Sequence, residues 1–511
     1  MASSLVGLAI ESPLLLLSLL LLLPLLLLLL RSKRSSNRTN LPPSPPKLPF
    51  IGNLHQFGSL PHRALHALST KYGPLMLLRL GEIRTLVVSS PDTAREIMKT
   101  HDQIFANRPS LRSAEIILYD SMDLAFVRYG EHWRQMRKLC IIHLLSAKRV
   151  QSYNQVREEE VAIMIQKITQ VSLKPSLVDL SEILYSFAND IVCRVVSGKF
   201  SREEGRNELF RKLIEENGYL LGGFFVEDYF PSLGWLDKFL KLSARAKRNF
   251  KRWDKLLEEV IKEHESREKV KKDDEEEDFV DVLLTLQKDP NMDVALKREH
   301  IKALLLDMFA AGTDTTYIVL EWLMAELAKS PNAKRRLQDE VRRTKATKGG
   351  MIGAQDLNTM SYLKAVVKEA LRLHPPAPLL LPRESTQDCY VKNYFIPQKT
   401  RVIINAWAIN RDPVLWNSPD EFRPERFLDS SSVDFKGNDF QFIPFGAGRR
   451  ICPGMQFAVS TLELAVANLV YRFEWELPHG LREEEFDMIE APGLTTRKRE
   501  KLMLVAKPCC I

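Results

Sequence analysis

Cys452 lies in the segment Phe445-Gly-Ala-Gly-Arg-Arg-Ile-Cys452-Pro-Gly454. Its paired glycines permit tight backbone turns, and Pro453 suits the first turn of the amphipathic run Met455–Val470. A thiol at a helix amino terminus gains stabilisation of its thiolate from the helix dipole and the free N–H groups. Such a sulfur serves as a metal ligand, a nucleophile or a buried structural thiol, and the residue type alone leaves all three open. A dinucleotide-binding turn is excluded, because Ile451 stands where the third glycine belongs. Upstream, Glu369 and Arg372 share one helix face at i, i+3. In isolation such a pair is usually a surface ion pair worth less than about 1 kcal/mol. The apolar run Ile301–Phe309 leads into Gly312, Asp314, Thr315 and Thr316. A helical Thr315 bonds back to the Ala311 carbonyl, and Gly312 weakens the same turn. The plain reading is a kinked core helix; the chemical one is a groove where an alcohol and an acid handle protons.

Phe445–Gly454 resembles the haem-ligand loop of the cytochrome P450 family. Three further segments agree with that family in identity, order and spacing. Glu369-Ala-Leu-Arg372 resembles its ExxR helix, Pro424-Glu-Arg-Phe427 its PERF segment, and Ala311-Gly-Thr-Asp-Thr-Thr316 its oxygen-binding helix. The similarity covers essentially the whole chain and is closest in wording to plant microsomal members. It implies a mainly α fold with a small β region behind a single N-terminal transmembrane helix. It also implies haem b as cofactor with Cys452 as the axial thiolate, a ligand that favours O–O cleavage. By the same resemblance Trp133, Arg137, Arg383 and Arg450 reach the haem propionates, which suit the bidentate guanidinium fork. Phe445 and the turn's N–H groups shield the sulfur. Glu369, Arg372 and Arg426 form a buried network that fixes the cysteine loop, and Thr315 and Asp314 support proton delivery. The implied pocket walls are Leu111–Leu124, Phe224–Phe225, Met308, Ala311, Leu379, Leu380, Leu381 and Leu494–Thr495. They are mainly apolar and point to a small hydrophobic substrate.

The expected activity is therefore that of a membrane-bound monooxygenase oxidising a small hydrophobic plant specialised metabolite. No nicotinamide or flavin fingerprint is present, so electrons come from outside. The family implies an NADPH–cytochrome P450 reductase on the same membrane, with cytochrome b5 as a further partner. Exposed basic residues around Arg134–Lys138 and Arg449 would face the reductase's acidic surface. The alternatives are a haem-thiolate isomerase or dehydratase that needs no reductase, and a non-enzymatic anchored interaction protein. Thr315 in its expected place argues against the former, and four ordered motifs against the latter.

These motifs require elements to carry them. Leu75–Leu80 and Ile83–Val88 flank Gly81-Glu82 and predict a hairpin with a two-residue turn. Helical spacing runs through Asn154–Val171, Lys255–Glu265 and His300–Lys329, while Tyr390–Phe395 and Arg401–Ala406 are β-prone. The run Arg267–Asp278 reads as a solvated surface loop. Ahead of the body, Pro13–Leu30 is nearly pure leucine, 18 residues or about 27 Å of helix, which matches a thin bilayer. Glu11 precedes it and Arg31, Lys33, Arg34 and Arg38 follow, so the positive-inside bias places the body in the cytosol. Residues 1–30 read as an uncleaved membrane anchor in lipid, 31–53 as a basic and Pro-rich hinge, and 54–511 as one catalytic domain. The location implied is the endoplasmic reticulum membrane, single-pass, and the sequon at Asn37 should then carry no glycan. Five prolines within Pro42–Pro49 favour a polyproline II spacer.

Composition agrees with an enzyme of this kind. The 511 residues are 45% hydrophobic and 27% charged, which excludes disorder, collagen and a polytopic transporter. Lys plus Arg is 73 against 65 acidic residues, a mild net +8 that suits an anionic membrane surface or an acidic partner and not nucleic acid. Six scattered cysteines form neither a disulfide ladder nor a CxxC pair, the usage of a reducing compartment.

Overall fold

The hairpin forms where the sequence places it, with β1 (Leu75–Leu80) and β2 (Ile83–Val88) antiparallel and Leu80 opposite Ile83. Gly81 supplies the positive φ of +64° that the two-residue turn demands. The structure, a computed structural model, describes residues 40–173, 177–198, 206–268, 277–290, 295–344, 350–428 and 433–509. The predicted anchor 1–30, the basic stretch 31–39 and most of the charge run Arg267–Asp278 lie outside the described residues. Arg401–Ile404 joins β2 in parallel and Arg383–Glu384 pairs with it in turn, giving a four-stranded sheet. Tyr390–Phe395 is not one strand. Lys392 takes φ +53° and turns the chain, so Cys389–Val391 and Tyr394–Ile396 pair as a small hairpin.

The Pro-rich segment behaves differently from a free spacer over its described part. The Leu77 N–H donates to the Pro43 carbonyl at 2.9 Å, the Asn53 N–H donates to the Arg79 carbonyl at 2.6 Å, and the Arg79 N–H donates to the Asn53 side-chain Oδ1 at 2.9 Å. Strand β1 is an edge whose outward N–H groups need acceptors, and a proline-rich chain offers carbonyls without competing donors. Residues 40–53 thus lie against the sheet.

The remainder is helical. The longest helix, α1 (Arg298–Lys329), has 32 residues, about 48 Å. It is apolar nearly all round, as a helix must be when other helices cover every side. Among the described residues it is the one helix long and apolar enough to cross a membrane, yet 67% of that apolar window is buried within the protein. It packs against Leu180–Ser197, α2 (Ser361–Leu373) and α3 (Met455–Arg472). Gly312 makes the first contact possible: a Cβ there would lie 3.1 Å from a Val192 methyl. The helix is continuous through Thr315, so the expected kink is not a break. What does form is the expected back-bond, Thr315 Oγ1 donating to the Ala311 carbonyl at 2.7 Å. Thus α1 crosses the centre of the body with α3 beyond it, and a cavity opens between them.

Candidate active site

Cys452 is presented by a loop that only glycine can close. Gly448 has φ +69°, and a Cβ there would sit 2.2 Å from the Met98 carbonyl; Gly446 has φ +71°. The Cys452 N–H donates to the Phe445 carbonyl at 3.0 Å, which folds the loop back and leaves the sulfur ahead of α3. Burial pushes the thiol's pKa up, while the Gly454 N–H and the nearby Arg137 pull it down. The helix terminus therefore does not by itself win the thiolate; a coordinated metal ion deprotonates such a thiol outright.

The sulfur borders a cavity of about 380 Å³. From α1 it is lined by Asp307, Met308, Ala311, Gly312, Asp314 and Thr315; Leu380, Leu381, Leu494 and Thr495 close the sides. Of the expected wall residues Met308, Ala311, Leu380, Leu381, Leu494 and Thr495 are therefore present, as are Leu118 and Leu124 from the 111–124 segment. Leu379 is not: it packs against the buried cluster of Leu65, Met76, Leu78, Leu80, Val87 and Ile403 beside the sheet. Leu380 adopts φ +50°, which sends the two adjacent leucines to different sides. Phe224 and Phe225 also fall outside the lining. Phe224 stacks on Tyr229 at 4.8 Å, and Phe225 is buried in the core.

At one end of the cavity buried guanidiniums converge. Arg450 donates to the carbonyls of Ala106 (2.9 Å) and Val127 (2.6 Å). Arg383 donates to the Ala447 carbonyl at 2.9 Å and lies 3.6 Å from Asp102. Arg137 donates to the Ile451 carbonyl at 2.7 Å. The ring of Trp133 lies between two of them, 4.5 Å from Arg450 and 5.5 Å from Arg137. A fourth member was not legible in the sequence. Arg108 is buried in the same wall and donates to the carbonyls of Ala125, Leu381 and Pro382. No motif flags it; its role exists only once distant segments meet. Burial lowers the pKa of all four, and Arg108 and Arg450 are lowered further by their cationic neighbours. A guanidinium does not deprotonate in working conditions, so these directions measure how much the site gains from an anion.

That is a test of whether a haem would fit, and the residues pass it. The Trp133 indole N–H is buried beside the guanidiniums with no protein acceptor among the described residues. A donor so placed costs free energy until an acceptor arrives. Carboxylates entering this end would satisfy both the indole and the excess positive charge, and a metal entering above Cys452 would meet its sulfur.

Away from the cavity, Glu369 and Arg372 are completely buried and bonded in a fork, Nε to Oε2 at 2.7 Å and Nη2 to Oε1 at 2.8 Å. Arg426 joins at 3.0 Å, and the Arg423 N–H donates to the same carboxylate. The pair is thus no surface ion pair. On the opposite side of the cavity the Thr495 hydroxyl donates to Asp314 Oδ2 at 2.7 Å, a contact no sequence motif announces. Arg134, Lys138 and Arg449 are exposed.

A mainly helical body around a cysteine-floored cavity, rimmed by guanidiniums at one end and by an acid and an alcohol on its central helix, defines a haem-thiolate protein. The chain belongs to the cytochrome P450 family, whose profile, described as Cytochrome P450, matches residues 42–504. Cytochrome P450 71A1 of Persea americana is 52% identical over 459 residues, 89% of this chain and 91% of that relative. The indole-2-monooxygenase of Zea mays is 49% identical, covering 91% of this chain and 87% of its own. Strychnine-11-hydroxylase of Strychnos nux-vomica is 48% identical, covering 92% and 91%. A zebrafish cytochrome P450 solved with abiraterone superposes with a TM-score of 0.74 at 26% identity, covering 89% of this chain and all of that one. The protein is a P450 monooxygenase, and the family's axial cysteine is present as Cys452.

Proposed function

We propose that this chain is a membrane-tethered monooxygenase of plant specialised metabolism, taking electrons from an NADPH–cytochrome P450 reductase, with cytochrome b5 as an auxiliary donor. The observation that carries this reading is the convergence of a cavity-facing Cys452 with three buried arginines, the half-buried Arg137 and an unpartnered indole N–H. Haem bound there supplies dioxygen activation, since thiolate ligation pushes electron density toward iron and favours O–O cleavage. Arg108, Arg383, Arg450 and Arg137 hold the propionates, with Trp133 donating a hydrogen bond. Phe445, packed edge-on against Phe435 at 5.4 Å, keeps water from the sulfur. The Thr315 proton is committed to the Ala311 carbonyl, so its oxygen lone pairs are free to hold a water in the cavity. Asp314, midway along α1, is the acid that replaces the proton that water gives up. Met308, Ala311, Leu380 and Leu494 orient an apolar substrate and exclude bulk water.

The relatives named for indole and strychnine oxidation support a specialised metabolite as substrate. The leucine run Pro13–Leu30 and its basic flank support a single-pass anchor in the endoplasmic reticulum membrane with the body cytosolic. Over residues 40–53 the bonds to the sheet favour a docked segment over a free hinge. Exposed Arg134, Lys138 and Arg449 suit an acidic reductase surface. The deciding experiment is a ferrous–CO difference spectrum on microsomes holding the full chain, followed by NADPH-dependent turnover in an untargeted metabolite screen. A red-shifted band and reductase-dependent products are expected. Product formation without reductase would move the assignment to an isomerase or dehydratase.

A further inference from the structure

The acid on α1 is bonded to a loop whose tip lines the cavity. Glu490 bridges Lys498, and the Ala491 N–H donates to the Arg497 carbonyl at 2.8 Å, closing a narrow turn over residues 492–496. Its base is fixed twice: the Trp322 indole donates to the Thr496 carbonyl at 3.0 Å, and the Thr496 N–H donates to the Pro376 carbonyl at 2.9 Å. Its tip is Gly493-Leu494-Thr495, and Leu494 and Thr495 both line the cavity. From that tip the Thr495 hydroxyl reaches Asp314 Oδ2. Across the tip, a Cβ on Gly222 would lie 2.6 Å from the Leu494 N, so the loop leans on the end of the helix Arg206–Leu221.

Other partners wait for Asp314. Arg497, 45% exposed, pairs with Glu215 at 3.5 Å, and Glu215 bonds Arg211 at 3.2 Å, which leads outward to solvent. Both Arg497 and Glu215 act electrostatically on the Asp314 carboxyl. From Leu180–Ser197, the Tyr185 hydroxyl also feels Asp314, and it is buried with no hydrogen-bond partner among the described residues. Asp314 therefore stands between the cavity and an ionic path to water, and its present bond is to the cavity-lining tip.

We propose that Thr495 is a positioning residue that latches Asp314, so that proton supply to the cavity waits for a substrate to shift the Leu494–Thr495 tip. The proposal rests on the monooxygenase reading. Once released, the carboxyl turns toward Tyr185 and Arg497, takes a proton from bulk water near Glu215, and on turning back gives that proton to water in the cavity. One proton enters for each one delivered. An empty cavity keeps the latch closed and spares reductant.

The test uses the full haem-loaded chain in detergent, with ¹³C-labelled aspartate and Asp314→Asn to assign the carboxyl band by infrared difference spectroscopy. A hydroxyl donating to a carboxylate favours the ionised form, so Thr495→Val should raise the Asp314 pKa by about one unit. Thr495→Ser should restore it. Substrate-free peroxide release driven by NADPH and reductase should rise several-fold in Thr495→Val and stay at the wild-type rate in Thr495→Ser. Identical titration of Asp314 in Thr495→Val and wild type, or an unchanged peroxide leak, overturns the latch. In either case a retained ferrous–CO band in all variants leaves the monooxygenase reading standing, and its loss in the unsubstituted chain would sink that reading instead.

Discussion

Removing Arg372 should empty the active site without touching it. Its Nη1 and Nη2 donate to the carbonyls of Asn410 (2.8 Å), Pro419 (2.7 Å) and Glu421 (3.1 Å), besides the fork to Glu369. Breaking a buried ion pair by deleting one partner costs about 3–5 kcal/mol, because the remaining charge stays desolvated. Here Arg426 and the Arg423 N–H still serve Glu369, which argues for the lower half of that range. The carbonyls of Asn410 and Pro419 lose their donor, however, and each orphaned acceptor adds about 1 kcal/mol or more, while the Glu421 carbonyl keeps Arg426 Nη2 at 3.4 Å. The total approaches the net stability of many domains, about 5–15 kcal/mol. The damage reaches Cys452 through a chain of rings. The Arg372 guanidinium lies 5.3 Å from the ring of Trp416, Trp416 meets Phe427 and Phe442, Phe442 meets Phe435, and Phe435 meets Phe445. Arg372→Ala should therefore lose most of its haem, measured as haem per polypeptide and as the ferrous–CO band. Arg372→Lys keeps the charge but not the fork, and should bind haem with a urea midpoint lowered by the equivalent of about 2 kcal/mol. An Arg372→Ala protein with wild-type haem content and urea midpoint would refute the reasoning.

Three other outcomes are expected. Thr315→Ala should retain haem and its CO band yet divert NADPH electrons from product to hydrogen peroxide, read as the peroxide-to-product ratio; unchanged coupling would count against the role of its hydroxyl. Trp133→Phe removes the indole N–H while keeping a ring against Arg450, so haem should dissociate about five- to tenfold faster in a myoglobin transfer assay, the equivalent of one hydrogen bond. Burial raises the Glu463 carboxyl from 4.5 to about 7, against the opposing pull of Lys364 and Lys368. An acid with a raised folded pKa loses stability as pH climbs between those values, so Glu463→Gln should gain about 2 kcal/mol at pH 8 and nothing at pH 4 in thermal unfolding, after discounting for partial solvent access.

What the sequence conveyed and what it withheld divide along locality. The turn that sets Leu80 opposite Ile83, the Thr315 back-bond and the Glu369–Arg372 face depend on residues within four positions of each other, and each is found as spacing requires. Arg108 and Thr495 depend on segments far apart in the chain: Arg108 meets Leu381, and Thr495 meets Asp314. No periodicity records such meetings. Leu379 and Leu380 are equivalent letters, and only a positive φ separates wall from core. The Pro-rich segment likewise had the composition of a spacer, because composition does not reveal that an edge strand lies ready to bind its carbonyls.

The cavity's polar groups are sorted by position, and that sorting does more than their number. Cations collect at the end framed by Arg108, Arg383 and Arg450, where Asp102 and Asp123 offset only part of the charge. The acid and alcohol stand on α1, across apolar walls from that end. A planar group with carboxylates on one edge would therefore be held with that edge toward the arginines, in a cavity that Cys452 and Thr315 both line. The cost of burying like charges together is borne by the empty fold and relieved on binding, so the chain should be stabilised by its cofactor through mass action. Orientation and affinity thus come from the same arginines. Lysines at these places would retain the charge but could not reach several carbonyls and a carboxylate at once, which is why the guanidinium is required.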